Sequence, residues 1–218
     1  MFYHIYLNFI KAMILSYDNR LSFIEYYLHI NQAINLTAVR DPQEFYLKHI
    51  VDSLTICDLL TISNNRTICD VGTGWWFPLL PLAIAYPQTS CIWLDSTAKK
   101  LKAIESIAKH FSLTNIQTIW SRAEHHHHTY DLVTCRAVAY IDKLLPQIIH
   151  LVKSWWYIAL YKLYSITEDD LVYQYSKQMN LKMVVRHHYK LFDTDCQRVL
   201  YILQYHPSHP KQTNQLRH

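Results

Sequence analysis

Seven short runs rich in β-branched and aromatic residues follow one another from residue 67 onward: TICDV from Thr67, SCIWLD from Ser90, NIQTIW from Asn115, YDLVTC from Tyr130, WYIALY from Trp156, LKMVVRHHY from Leu181 and RVLYILQY from Arg198. Stretches of helical length separate them, over approximately 78–86, 97–111, 141–153 and 168–180. Parallel strands need a crossover of a dozen or more residues, usually a helix, so this alternation predicts an α/β fold with a mostly parallel seven-stranded sheet. Only a short segment joins the last two runs, which predicts an antiparallel pair at the sheet edge. Ahead of the first strand, residues 4–16 and 22–33 place apolar side chains at helical spacing. A longer helix is expected from about Pro42 to Leu60, where Asp41 can cap, Pro42 takes the first helical position and Glu44 the capping-box position. These patterns divide the chain into an N-terminal helical extension over 1–60, a sheet-bearing domain over 61–206 and a polar, proline-containing tail over 207–218 expected to be disordered.

The chain has only two glycines, Gly72 and Gly74, where average usage of about 7% would give roughly fifteen. Turns must therefore change type or hold non-glycine residues at positive φ, at about 1 kcal/mol or more each. Both glycines fall in ICDVGTG, between the first strand and a helix opened by Pro78. A doubly wound sheet binds its ligand at the carboxyl end of this strand. The next strand closes on Asp95, a carboxylate placed to accept hydrogen bonds from both ribose hydroxyls of a nucleoside cofactor. The pattern Gly72-x-Gly74-x-x-Phe77 lacks the third glycine of the dinucleotide fingerprint, which weakens a nicotinamide reading. Asp70 is a candidate for bracing the loop.

A net charge of +4 suits a polyanionic partner without requiring one. The five cysteines are odd in number and widely spaced, without a C-x-x-C pair, and read as free thiols in a reducing compartment. The apolar start MFYHIYLNFIKAMILSYDNR is broken by His4, Asn8 and Lys11 and carries no signal-peptide pattern. No apolar run approaches the roughly 20 residues that span a bilayer. A cytoplasmic protein without a membrane partner is expected.

NLTAVRDPQEFYLKHIVDSL, ICDVGTGWWFPLLPLAIAYP, LDSTAKKLKAIE, SRAEHH and DLVTCRAVAYIDKLL, in this order and spacing from about Asn35 to Leu160, closely resemble the RsmG family, also called glucose-inhibited division protein B. The resemblance implies a Rossmann-like Class I methyltransferase that moves a methyl group from S-adenosylmethionine to guanine N7 in 16S ribosomal RNA, acting in rRNA processing. It implies 16S rRNA or the small ribosomal subunit as partner, and we expect a monomer. It also implies cofactor contacts at Gly72, Gly74, Phe77, Ala123, Glu124 and Arg136, and places Asp95 at the acidic ribose position. Guanine N7 already carries a lone pair, so no catalytic base is named and positioning should dominate. Arg136 is the candidate substrate-binding residue as well, since a guanidinium bonds base edges, phosphate or carboxylate.

The chain departs from the family where glycine is usual. Trp76 and Leu79 or Leu80 stand at loop positions, and KSWWYIAL, with Trp155 and Trp156, replaces a glycine-rich turn before the fifth strand. Indoles at Trp75 and Trp76 predict a distorted loop or an occluded hollow, and hence weak cofactor binding. The alternatives are tryptophans that pack elsewhere, or a non-catalytic protein keeping the fold and an RNA-binding surface. EHHHHT at 124–129 reads as a solvated loop and not a metal site, since four consecutive histidines cannot converge on one ion. Lys99, Lys100, Lys102, Arg20, Arg40, Lys48 and Arg136 form a candidate phosphate-tracking surface. His49, three residues before Asp52, is read as facing the cleft or bracing the core.

Overall fold

The structure, a computed structural model, describes residues 17–34, 37–72, 74, 76–136, 138–191 and 196–207. The expected helix over 4–16, the tail from 208 onward and Trp75 lie outside the described residues. The strands are β1 (Thr67–Val71), β2 (Ser90–Asp95), β3 (Ile116–Trp120), β4 (Tyr130–Arg136), β5 (Val152–Leu163), β6 (Leu181–Lys190) and β7 (Gln197–Tyr205). They form one seven-stranded sheet in the order β3-β2-β1-β4-β5-β7-β6. The first five are mutually parallel, and β7 pairs antiparallel with both β5 and β6. The order reverses between β1 and β4, so the crevice of a doubly wound sheet opens at their carboxyl ends.

The helices are α1 (Tyr17–Ile34), α2 (Pro42–Phe45), α3 (Asp52–Leu54), α4 (Leu79–Ala85), α5 (Ala98–His110), α6 (Ile141–Ile148) and α7 (Ile166–Gln178). They cover the sheet on two sides. One core joins α1, α4 and α5 to the sheet through Phe23, Tyr27, Leu80, Leu101, Ile104 and Ile107. The other joins α6 and α7 through Ile141, Leu144, Leu145, Ile148 and Val172. These three- and four-residue spacings are the apolar stripes that made the helices legible. Sheet burial follows the same logic: β4 is buried along nearly its whole length, as a two-sided parallel strand must be, while the edge strand β6 is buried strongly only at Leu181. Cys69, Cys91 and Cys135 are buried and all five cysteines are free thiols.

The segment after α1 differs from the single helix expected over 42–60. Asp41 caps α2, accepting from the Glu44 amide at 2.7 Å with Pro42 in the first turn. The chain then widens into a π-helix over Tyr46–Val51, tightens to α3 and ends as a 3-10 turn over Thr55–Asp58. Here His49, Ile50, Asp52, Ser53 and Leu54 are all buried, a wider inward face than a regular α-helix presents.

The scarcity of glycine is met by residues held at positive φ: Asn65, Ser112, Asn180, Trp76 at 73° and Trp155 at 69°. Asparagine tolerates this region, whereas a bulky aromatic does so at a cost of about 1–3 kcal/mol. Trp76 nevertheless points away from the crevice. Its indole is fully buried, edge-on to Tyr27 at 5.1 Å between ring centroids. Trp155 sits in a bulge where β4 has one residue, Asp131, between successive pairs and β5 has four, 153–156. It is 53% exposed and lies against His206. Both tryptophans thus hold a backbone conformation suited to glycine, but only one is part of a core. Trp76→Gly is expected to lower the unfolding free energy by roughly 2–4 kcal/mol, the cavity outweighing the relief of strain. Trp155→Gly is expected to be neutral or stabilising by up to about 1 kcal/mol. Urea titrations of the two variants check both signs.

Candidate functional site

A cleft of about 1050 Å³ opens at the carboxyl ends of β1, β2, β4 and β5. Gly72 leaves β1 at φ 68° and donates its amide to the Leu94 carbonyl at 3.0 Å, fastening the loop to β2. A Cβ there would lie 2.9 Å from Val138 Cγ2, so glycine is required by space as well as by φ. Gly74 also has positive φ, 42°, and lines the cleft. Asp70, two residues before Gly72 in β1, does not. It is buried and accepts from Thr134 Oγ1 at 2.6 Å, tying β1 to β4. Burial pushes its carboxyl well above the usual carboxylate range.

Asp95 ends β2 with its side chain at the cleft wall and only 5% exposed. Its Oδ1 accepts from the Thr97 amide at 2.7 Å, and Lys100 stands 3.5 Å from Oδ2. Phe77 is buried and lies flat against the His49 ring, centroids 4.8 Å apart. Ala123 and Glu124 come from the 3-10 turn after β3. His150 Nε2 holds that turn, 3.1 Å from the Ala123 carbonyl and 2.9 Å from that of His126. Arg136, the last residue of β4, reaches the π-helical segment: its Nη2 donates to the Lys48 carbonyl at 2.6 Å and lies 3.2 Å from Asp52 Oδ2. Asp52 is completely buried and its Oδ1 accepts from the Tyr189 hydroxyl at 2.5 Å. Arg136 Nη1, also buried, has no hydrogen-bond partner among the described residues.

The seven residues Gly72, Gly74, Phe77, Asp95, Ala123, Glu124 and Arg136, from four separate segments, therefore surround one cleft. The cations considered for a phosphate surface do not all gather there. Lys100 and Arg136 line the cleft, Lys99 and Lys102 are exposed on α5, Arg40 turns back onto the Thr37 and Val39 carbonyls, and Lys48 pairs with Glu44. The side chain of Arg20 lies outside the described residues. In the histidine run His126 turns inward to the Tyr130 hydroxyl at 2.6 Å, and His125, His127 and His128 are exposed. Sequence reasoning missed Lys162, Glu168 and Arg198, which line the far end of the cleft. Lys162, a cation directly after the apolar run WYIALY of β5, was the available signal. Glu168 lies three residues after Ser165, whose side chain accepts from its amide at the start of α7.

His49 lies on the cleft side, with Nε2 3.2 Å from Thr37 Oγ1. Burial, then the nearby Arg136 charge, lowers its pKa to about 3. An unfolded histidine titrates near 6.5. Between these values the unfolded chain binds a proton that the folded chain refuses, so this contribution to stability is complete above about pH 6.5 and is lost as the pH falls towards 3. His49 alone should make the fold about 2 kcal/mol less stable at pH 5 than at pH 8. In His49→Gln the difference between urea unfolding free energies at these two pH values should shrink by about that amount.

Residues 17–200 match the family model described as GidB: rRNA small subunit methyltransferase G. The chain is 40% identical over 133 residues to ribosomal RNA small subunit methyltransferase G of Desulfitobacterium hafniense, which covers 58% of this chain and 54% of that protein. It is 36% identical over 153 residues to the protein of the same name from Listeria monocytogenes serovar 1/2a, covering 66% of this chain and 64% of the relative. The matched segment thus spans a little over half to just under two thirds of these relatives. Among solved structures, a SAM-dependent O-methyltransferase from Thermotoga maritima superposes with a TM-score of 0.58 at 11% identity, covering 85% of this chain and 73% of that one. The ribosomal protein L11 methylase of Lactobacillus delbrueckii subsp. bulgaricus gives 0.57 at 15% identity, covering 73% and 79%. At such identities these two likenesses establish the Class I methyltransferase fold alone. With the family model matched along most of its length, the chain belongs to the rRNA small subunit methyltransferase G family.

Proposed function

We propose that the cleft binds S-adenosylmethionine and that the chain, as a cytoplasmic monomer, transfers the methyl group to N7 of a guanine in 16S ribosomal RNA, in naked RNA or in the small subunit. The observation that carries this reading is the convergence of the Gly72 turn and the buried Asp95 carboxylate on one open hollow. The residues fit the cofactor. The glycine turn presents backbone where a Cβ would be obstructed, the acid offers a charged acceptor for a ribose, and the Phe77 and Ala123 side chains supply apolar wall. The indole of Trp76 takes none of this space.

S-adenosylmethionine would supply an electrophilic methyl on a sulfonium. The protein has little proton chemistry to perform, because guanine N7 attacks through a lone pair it already has. Asp95 would hold the ribose, Glu124 and Ala123 the neighbouring part of the nucleoside, and Gly72, Gly74 and Phe77 the methionine side. Arg136 lines the cleft, and its buried Nη1, without a hydrogen-bond partner among the described residues, would turn to the substrate as a donor suited to guanine O6 or phosphate. The division into an extension over 1–60 and a catalytic domain over 61–206 belongs to the same reading, in which the extension supplies His49 as a wall of the cleft. Among the described residues no helix is long and apolar enough to cross a membrane.

Incubation with methyl-labelled S-adenosylmethionine and either 16S RNA or small subunits tests the activity. Label should enter RNA at a single guanine whose N7 methylation makes the strand cleavable by aniline after borohydride reduction. Absence of label from both substrates, with cofactor still bound, would instead favour a non-catalytic RNA-binding protein.

A further inference from the structure

The far half of the cleft has no part in holding the cofactor under the reading above. It is built from the ends of β4 and β5, the start of α7 and the start of β7. Two charged side chains lie there with at least nine-tenths of their surface buried, Lys162 and Glu168. Lys162 donates to the Ala139 carbonyl, and its ammonium stands 3.5 Å from Glu168 Oε2. That oxygen accepts no hydrogen bond among the described residues. Beside this pair line two further buried donors without partners, Arg136 Nη1 and Arg198 Nε. Buried polar atoms are almost always satisfied, so a carboxylate oxygen and two guanidinium nitrogens left without hydrogen-bond partners on residues that line one cleft are the signature of a polar ligand absent from the free protein.

A structural explanation of Glu168 is incomplete. The Ser165 Oγ accepts from the Glu168 backbone amide at 3.1 Å, which caps α7 without the Glu168 side chain. Lys162 is already bonded to Ala139. The glutamate is therefore not needed for the cap, and a single ion pair at 3.5 Å leaves Oε2 short of hydrogen bonds.

We propose that Glu168 reads the Watson–Crick edge of the target guanine. Guanine presents N1–H and N2–H on that edge, two donors that a carboxylate accepts side by side, whereas adenine presents one donor and one acceptor. The N7 edge of the purine lies on the opposite side, so a guanine held by Glu168 at the far end turns N7 back towards the cofactor half. Arg136 Nη1 or Arg198 Nε then answers O6. Lys162 stands against the carboxylate and anchors the loop through Ala139. Glu168 acts here as the determinant of base identity and takes no proton in the reaction.

This proposal rests on the guanine-N7 reading, and inosine separates the two. Inosine keeps N7, O6 and N1–H and lacks only the N2 amino group. We would compare single-turnover methylation of an RNA carrying guanosine at the methylated position with the same RNA carrying inosine there. The wild-type chain should favour guanosine by about 10- to 100-fold in kcat/KM, the loss expected when a buried charged acceptor is left with one donor missing. Glu168→Gln, whose amide presents an N–H to the N1–H or N2–H, should lose a comparable factor on guanosine and show a guanosine-to-inosine ratio near one, with S-adenosylmethionine affinity retained as evidence of an intact fold. A wild-type ratio near one overturns the proposal whether or not the variant folds, and so does a Glu168→Gln protein that keeps the wild-type ratio. No methylation of the guanosine RNA at all overturns the activity itself.

Discussion

Asp95→Asn should weaken S-adenosylmethionine binding roughly 100-fold while leaving the fold intact. The carboxylate is nearly buried at the tip of β2, and a hydrogen bond to an ionised buried acceptor is worth about 1.5–3 kcal/mol, so losing the charge against one or two ribose hydroxyls costs between one and three decades. Asparagine keeps the oxygen that accepts the Thr97 amide at 2.7 Å, so the turn into α5 should hold. Lys100 loses its counter-ion 3.5 Å away, but at 40% exposure that pair contributes at most about 1 kcal/mol. Calorimetry for the cofactor and thermal unfolding for the fold separate the two effects. An unchanged affinity would mean that the carboxylate does not face the ligand.

Arg136→Met should be the most damaging substitution for stability. Arg136 is the cation 3.2 Å from Asp52, whose side chain is wholly buried and whose other oxygen is held by Tyr189. Removing one member of a buried pair leaves an uncompensated charge at a cost of about 3–5 kcal/mol. For a chain of this length that corresponds to a fall of roughly 10 °C in Tm. Adding Asp52→Asn removes the stranded charge and should restore about 2 kcal/mol or more of that loss. Methyl transfer should not recover in the double variant, because the cleft still lacks the donor at Arg136 Nη1. Recovery of both properties together would reduce Arg136 to a structural role.

The elements that could be read in advance were those fixed by local pattern. The strand–helix alternation located every strand of the sheet, and Asp41, Pro42 and Glu44 marked the start of α2 as the structure has it. The glycine turn and Asp95 were legible for the same reason: a short loop between a strand and a helix needs particular residues at particular spacing. What escaped depends on contacts between distant segments. The Arg136–Lys48 and Tyr189–Asp52 hydrogen bonds join residues 88 and 137 positions apart, and nothing near Asp52 in the chain announces a buried acid or the π-helical turn that brings it inward. The burial of Glu168 likewise depends on a partner in another element, Lys162 near the end of β5. Trp76 shows the limit most clearly. Its conformation followed from the missing glycine, with φ at 73°, but its direction was set by the space beside Tyr27, which no local rule contains.

That direction decides whether the crevice is a working site. With the Trp76 indole in the core, the weak cofactor binding expected from Trp75 and Trp76 loses the part of its ground that Trp76 supplied, while Trp75 lies outside the described residues. Calorimetric titration of the wild-type chain with S-adenosylmethionine tests this directly. The open hollow predicts one site per chain with a micromolar Kd; no heat of binding up to millimolar cofactor would contradict it.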